Sequence, residues 1–290
     1  MRPTTRLRAA LRERPLTHII GAHNPLGAML AVEAGFDGIW ASGFELSAAM
    51  GVPDASIVSM TQHLEITRAM AAAVDAPVVA DIDTGFGNAI NVIHAVRQYE
   101  AAGAAAVVIE DKHFPKDTSL LAGGRQDLVS TSEFQGKIEA ARSARRDADF
   151  VVVARTEALI AGLGHGEAMA RAHAYVAAGA DAVLVHSKQK TPDEIVAFAR
   201  AWDRDIPLAI VPTAYPQLDE AAIQALRTVR LVIYGNHGVR AIVGALRETF
   251  GQIRRERGAA GVDARIPSVE TVFEVQGVPA MKRDERRFLR

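Results

Sequence analysis

Two carboxylates, Asp81 and Asp83, close an apolar run that begins at Val78. A second apolar run closes on Glu110 and Asp111 and passes at once into Lys112 and Lys116. On an extended chain side chains repeat every second residue, so Asp81 and Asp83 leave one face together. Two hard oxygen donors with a third acid one strand away suit a divalent ion of the Mg2+ or Mn2+ type, held directly or through its waters. An isolated Asp-x-Asp serves equally well as a solvated turn that caps a helix. The cations behind the second acidic pair favour a site. Thr118 and Ser119 in the same segment, Arg155 closing a run from Asp149, and His186 closing a run from Ala182 add donors and positive charge suited to a phosphoryl or carboxylate group. A substrate that matches both halves carries a metal-chelating oxygen pair and a second anion, as does an α-keto acid with a phosphonate or carboxylate at its far end. The ion would polarise the keto oxygen and stabilise the enolate formed when the bond to C3 breaks.

Such a constellation needs a scaffold that brings strand ends to one rim. Apolar runs at 17–23, 38–42, 77–83, 105–111, 149–157, 182–186, 207–213 and 231–236 alternate with helical stretches. The pieces AGFDGIW, AAGAAAVVIED and AAGADAVLVHS each repeat a helix ending in Gly and then a buried strand. Strands alternating with helices of this length pair in parallel through right-handed crossovers, and eight such units predict an α/β protein, a closed (β/α)8 TIM-type barrel. No Gly-x-Gly-x-x-Gly follows a first strand, so a dinucleotide fold is not indicated. An Arg-rich amphipathic helix at 4–14 is expected to cover the bottom of the barrel. Catalytic groups in this architecture stand at the C-terminal ends of strands. Those ends carry Trp40, Ser42 and Gly43, then Asp81 and Asp83, Glu110, Arg155 and Glu157, His186 and Ser187, Thr213, and Asn236 with His237. The barrel with its covering helix is expected over 1–257. Beyond it, 258–290 forms an extension whose helix at 268–277 packs outside the closed barrel, on a neighbouring subunit.

The bulk composition narrows the partners. Across 290 residues, 49% are hydrophobic, ample for a large core, and 33 Lys plus Arg against 34 Asp plus Glu leave a net charge of -1. There is no global basic field to attract nucleic acid. The absence of cysteine excludes disulfides, thiolate metal sites and a cysteine nucleophile or base. No apolar run approaches the length of a membrane span and no signal-peptide layout is visible, so a cytoplasmic enzyme with a small-molecule substrate is expected.

DIDTGFGN at 81–88, EDKHFPKDTS at 110–119, ARTEALIAG at 154–162 and GADAVLVHSKQKTPDEI at 179–195 resemble the phosphoenolpyruvate mutase and isocitrate lyase superfamily, over nearly the whole chain. The resemblance implies a (β/α)8 barrel that exchanges a C-terminal helix between subunits, as a homodimer or homotetramer, and that uses Mg2+, Mn2+ or Co2+. By resemblance Asp81 would bind the metal directly, with Asp83 and Glu110 holding its waters. Ser42, Gly43 and Phe44 would bind a pyruvyl carboxylate, partly through backbone N–H groups, beside Trp40. Thr118, Ser119, Arg155 and His186 would hold the phosphonyl group with Lys116. Asp54, in the GVPDAS loop, stands where the family has a candidate nucleophile. Lyases of the superfamily carry a Lys-x-Cys-Gly-His loop with a catalytic cysteine, whereas this chain reads Lys116-Asp117-Thr118-Ser119 and has no cysteine. Mutases typically read Lys-Thr-Asn-Ser. Threonine at 118 points instead to the branch that hydrolyses the P–C bond of 3-phosphonopyruvate to pyruvate and phosphate, because a hydroxyl leaves room for water where an amide excludes it. Phosphoenolpyruvate mutation, oxaloacetate hydrolysis and a metabolite-binding barrel without catalysis are the competing expectations.

Overall fold

The computed structural model describes all 290 residues. Helix α1 (Pro3–Glu13) precedes β1 (Thr17–Ala22), α2 (Pro25–Glu33), β2 (Gly38–Ala41), α3 (Gly43–Ala49) and α4 (Met60–Ala73). The alternation continues with β3 (Val78–Asp81), α5 (Ala89–Ala101), β4 (Ala106–Glu110), α6 (Thr131–Ala144), β5 (Val151–Thr156) and α7 (Gly164–Ala177). It closes with β6 (Ala182–Val185), α8 (Asp193–Ala201), β7 (Leu208–Ile210), α9 (Glu220–Ala225) and β8 (Val229–Tyr234). Four helices follow: α10 (His237–Glu256), α11 (Ala260–Asp263), α12 (Val269–Val275) and α13 (Val278–Phe288). The eight strands pair in parallel in sequence order, and β8 returns to β1, which closes the expected barrel.

Period two along the strands decides what lies inside. Ile19, Trp40, Val79, Val108, Val153, Leu184, Ala209 and Leu231 pack together in the barrel interior, while Ala80, Val107, Ile109, Val152 and Ala154 face the helices in a separate cluster. Leu7 and Leu11 of α1 join the interior cluster, so α1 plugs the barrel bottom as its amphipathic pattern predicts. Ser59 and Asn88 build capping boxes at the starts of α4 and α5 with Gln62 and Asn91, and Ser130 caps α6, which fixes where the chain leaves each loop.

The chain divides into two compact units, Met1–His237 and Gly238–Arg290. Of α10, only Val239 is buried. Within the second unit a further helix, Val278–Phe288, follows the one expected at 268–277; it opens with Pro279 and is amphipathic. No helix is long and apolar enough to cross a membrane.

Candidate active site

Continuing the interior rows of the barrel by one step reaches the predicted residues. Val79 leads to Asp81, Val108 to Glu110, Val153 to Arg155 and Leu184 to His186, so four strands deliver their last inward side chains to one layer. Above it opens a cavity of about 530 Å3 lined by Trp40, Ser42, Phe44, Asp54, Asp81, Lys116, Thr118, Ser119, Arg155 and His186, and also by Thr213 and Asn236. Asp83 and Glu110 stand just behind this lining, both buried. The structure therefore gathers the whole predicted set at one mouth.

Strand alternation carries Asp81 there but not Asp83. β3 ends at Asp81, and Asp83 has left extended geometry with φ 50°. It reaches the mouth through the turn Asp83-Thr84-Gly85-Phe86-Gly87, a conformation aspartate tolerates better than most residues. Gly85 is required in that turn: with φ 86°, a Cβ there would lie 2.4 Å from Val92 Cγ2. Gly43 allows a similar close approach, since its Cβ would sit 3.1 Å from Asp83 Oδ1 and 3.6 Å from Asp81 Oδ2. The start of α3 thus lies directly against the acids. Ser42 caps that helix, accepting from Glu45 N at 3.2 Å while its hydroxyl donates to Gly235 O at 3.0 Å.

Burial sets the electrostatics. It pushes the Asp81 carboxyl above the usual range against the opposing pull of Lys116 and Arg155, and raises Asp83 to about 7 despite Lys116. Neither Glu110 oxygen accepts a hydrogen bond, although Arg155 Nη2 lies 3.3 Å from Oε2. Buried carboxylates with idle oxygens are groups that a cation satisfies. No three acids or imidazoles close on one point. Asp81, Asp83 and Glu110 are nevertheless hard oxygen donors of the kind that a divalent ion such as Mg2+ takes, with waters completing its shell.

Lys116 departs from its expected role. Its Nζ sits 2.7 Å from Asp83 Oδ1 and 3.0 Å from Asp54 Oδ1, on the acidic side of the mouth rather than with the phosphonyl donors. Those acids hold its ammonium well above the ordinary lysine pKa although burial opposes them. Thr118 is tied to the same loop, donating its hydroxyl to Asp54 O at 2.8 Å. On the opposite side Arg155 Nη2 donates to Ser119 Oγ at 3.0 Å and lies 3.0 Å from His186 Nδ1.

Glu157 organises that cationic side, a role not drawn from the sequence. Its Oε1 accepts from Arg155 Nε at 2.6 Å and lies 3.1 Å from His186 Nδ1, and its Oε2 is 3.3 Å from Lys112 Nζ. Burial would raise its carboxyl, but Arg155 and His186 hold it well below the usual range. Lys112, 1% exposed, also donates to Ser119 Oγ at 2.7 Å and to Asp117 O at 2.8 Å, so it pins the loop. The available signal was physical: Glu157 follows Arg155 at the next inward position, and a buried guanidinium requires a counter-charge.

Residues 7–254 match the model of the phosphoenolpyruvate phosphomutase family. The chain is 61% identical to phosphonopyruvate hydrolase of Variovorax sp. (strain Pal2), covering 98% of each chain. It superposes on a crystal structure of phosphonopyruvate hydrolase in complex with oxalate and Mg2+ with a TM-score of 0.95, 59% identity and 100% of each chain covered. It superposes on phosphoenolpyruvate phosphomutase from Streptomyces platensis subsp. rosaceus with a TM-score of 0.97, 49% identity and 99% of each chain covered.

Proposed function

The chain belongs to the phosphoenolpyruvate phosphomutase family, and from that premise we propose that it hydrolyses the P–C bond of 3-phosphonopyruvate to pyruvate and phosphate with a divalent metal cofactor. The observation that carries this reading is the division of one mouth into a group of buried acids, Asp81, Asp83 and Glu110, and a cationic, hydroxyl-bearing wall of Arg155, His186 and Ser119. In the reaction the P–C electron pair moves onto C3, the resulting enolate takes a proton to become pyruvate, and an oxygen from water joins phosphorus. Asp81, with Asp83 and Glu110 behind it, would hold Mg2+, Mn2+ or Co2+, and the chemistry such an ion supplies when bound is Lewis-acid polarisation of the keto oxygen.

The chain's own residues do the rest. The backbone of Ser42, Gly43 and Phe44 beside Trp40 receives the pyruvyl carboxylate. Arg155, His186 and Ser119 bind the phosphonyl oxygens, and Glu157 keeps the guanidinium aimed at them. Asp54 is clamped by Lys116, and its backbone carbonyl accepts from Thr118; in the reaction its carboxylate takes up the proton of the attacking water.

Thr118 separates hydrolysis from mutation. Its hydroxyl donates to Asp54 O at 2.8 Å, and its side chain is smaller than the asparagine amide of the mutase pattern. Followed by 31P NMR with Mg2+ present, the wild type is expected to convert 3-phosphonopyruvate to phosphate without accumulating phosphoenolpyruvate. Thr118→Asn is expected to lose roughly tenfold or more of phosphate release, the scale of a lost general acid-base or water-positioning contact, and to begin forming phosphoenolpyruvate. Phosphoenolpyruvate as the main wild-type product would overturn the assignment, and full phosphate release by the variant would remove Thr118 from it.

The second unit supplies the reason to expect a homodimer or homotetramer. Ile242, Leu246 and Phe250 of α10 are 40%, 44% and 61% exposed, and neither α12 nor α13 has a buried residue despite Val272, Phe273 and Met281. Apolar helix faces left open at this density mark an interface. Light scattering is expected to give two or four times the 31.0 kDa chain mass, and a monomer at micromolar concentration would refute the proposal.

A further inference from the structure

A second cavity, about 630 Å3 against 530 Å3 for the mouth, opens at the opposite end of the barrel, where strands begin and helices end. Six arginines line it, Arg8, Arg12, Arg142, Arg204, Arg227 and Arg230, against two acids, Asp181 and Asp205. Six less two leaves four positive charges around one concavity, on a chain whose net charge is -1.

The internal pairing does not neutralise it. Arg8 is satisfied, with Nη1 3.1 Å from Asp181 Oδ1 and its other nitrogens donating to the carbonyls of Asp149 and Phe150. Asp181 is shared with Arg145 at 2.8 Å, so it has little left for the cavity. Arg142 and Arg230 each give one N–H to a backbone carbonyl, Gly179 O at 3.3 Å and Arg14 O at 2.9 Å, which leaves their charge uncompensated. Arg204 has only Asp203, at 3.7 Å with both side chains half-exposed, and Arg12 and Arg227 make no ion pair. Gly179 helps to seat this group: a Cβ there would lie 2.5 Å from Arg142 Nη1.

Taken singly, each cation complements the negative end of a helix. Arg12 lies in the last turn of α1 and Arg142 in that of α6, while Arg204 and Arg227 follow α8 and α9. Helix dipoles explain why basic residues stand at these ends. They do not explain why guanidinium groups from four helices share one cavity, where like charges repel unless an anion lies between them. Guanidinium forks match phosphoryl and carboxylate oxygens in pairs, and the volume lies in the range of small-molecule sites.

We propose that this cavity at the N-terminal end of the barrel binds a small multivalent anion carrying two or more phosphoryl or carboxylate groups, separately from the substrate mouth. The test is isothermal titration with pyrophosphate, citrate and inorganic phosphate at about 0.15 M salt, on the wild type and on the double variant Arg12→Glu, Arg204→Glu. Both residues are exposed and remote from catalysis, so turnover of 3-phosphonopyruvate is expected to stay within about twofold, the range of surface substitutions. The wild type is expected to bind pyrophosphate or citrate at least roughly tenfold more tightly than inorganic phosphate, as paired charge-assisted contacts require. The double variant is expected to lose that extra affinity, and a second pair, Arg142→Gln with Arg227→Gln, should weaken binding in the same direction. Tighter binding of pyrophosphate assigns a phosphoryl ligand, and tighter binding of citrate a polycarboxylate. Equal affinity in wild type and both variants, no binding of either polyanion, or no preference over inorganic phosphate would each overturn the proposal.

Discussion

Asp81→Ala is expected to lower kcat/KM for 3-phosphonopyruvate by about three orders of magnitude or more, the scale of losing the main electrostatic stabiliser of a developing oxyanion, and excess Mg2+ is not expected to restore it. Asp81 is the last inward residue of β3 and lines the mouth, and under the proposed function it takes the direct contact to the ion. Asp83→Asn and Glu110→Gln remove water-mediated contacts, and for them a loss of roughly 10- to 100-fold in metal affinity is expected, recoverable by adding metal. Electron paramagnetic resonance of free Mn2+ reads the affinities without reference to turnover. The stability prediction has the opposite sign. Burial raises the Asp81 pKa above its unfolded value, with Glu110 and Asp54 adding to the rise. An acid whose folded pKa is raised costs stability once pH exceeds its unfolded pKa. Without metal, the variant should therefore melt at or above the wild type near pH 7, even though activity is gone. Activity restored by high Mg2+ would show that Asp81 is not the direct ligand, and a metal-free variant that melts well below the wild type would show that burying this carboxylate does not cost stability.

How far the sequence anticipates this site depends on the physics that places each residue. Period-two alternation is rigid, so once Val79, Val108, Val153 and Leu184 are taken as inward, Asp81, Glu110, Arg155 and His186 must follow them to one layer. The barrel follows from the same regularity, because parallel pairing leaves no other closure for eight like units. Past the strand ends the rule stops. Asp83 arrives through a left-handed turn that no period describes, and Lys116 crosses the mouth to Asp83 and Asp54 because side-chain partners across loops are set in three dimensions. Glu157 was visible as a strand-end acid, but that it serves Arg155, His186 and Lys112 together depends on their convergence.

Arg155→Met should be costly twice over, in catalysis and in folding. The guanidinium donates to Glu157 at 2.6 Å and to Ser119 at 3.0 Å, and stands 3.3 Å from Glu110 Oε2, so removing it strips a phosphonyl donor and also leaves two buried acids facing an uncharged side chain. Loss of the donor is expected to cost about 10^3-fold in kcat/KM. Breaking one partner out of a buried ion pair costs about 3–5 kcal/mol, which lowers Tm by roughly 10 °C in a chain of this size. The pH dependence of that loss identifies its cause. In the wild type Glu157 is held below its unfolded pKa, so its stabilisation is present above the ordinary carboxylate range and is lost only as pH falls through the depressed folded value. In the variant the largest opposing charge is gone, burial prevails, and Glu157 takes up a proton at higher pH. The Tm gap between the two proteins should therefore narrow as pH is lowered from about 8 toward 5, as protonation removes the stranded charge. Arg155→Lys keeps the charge near Glu157 but cannot serve Glu157 and Ser119 together with one compact ammonium, so most of the stability should return while about 10^2-fold of the catalytic loss remains. A Tm gap independent of pH would mean that packing, not the stranded carboxylate, carries the destabilisation. A lysine variant with full activity would mean that charge alone holds the phosphonyl group and that the fork built by Glu157 is dispensable.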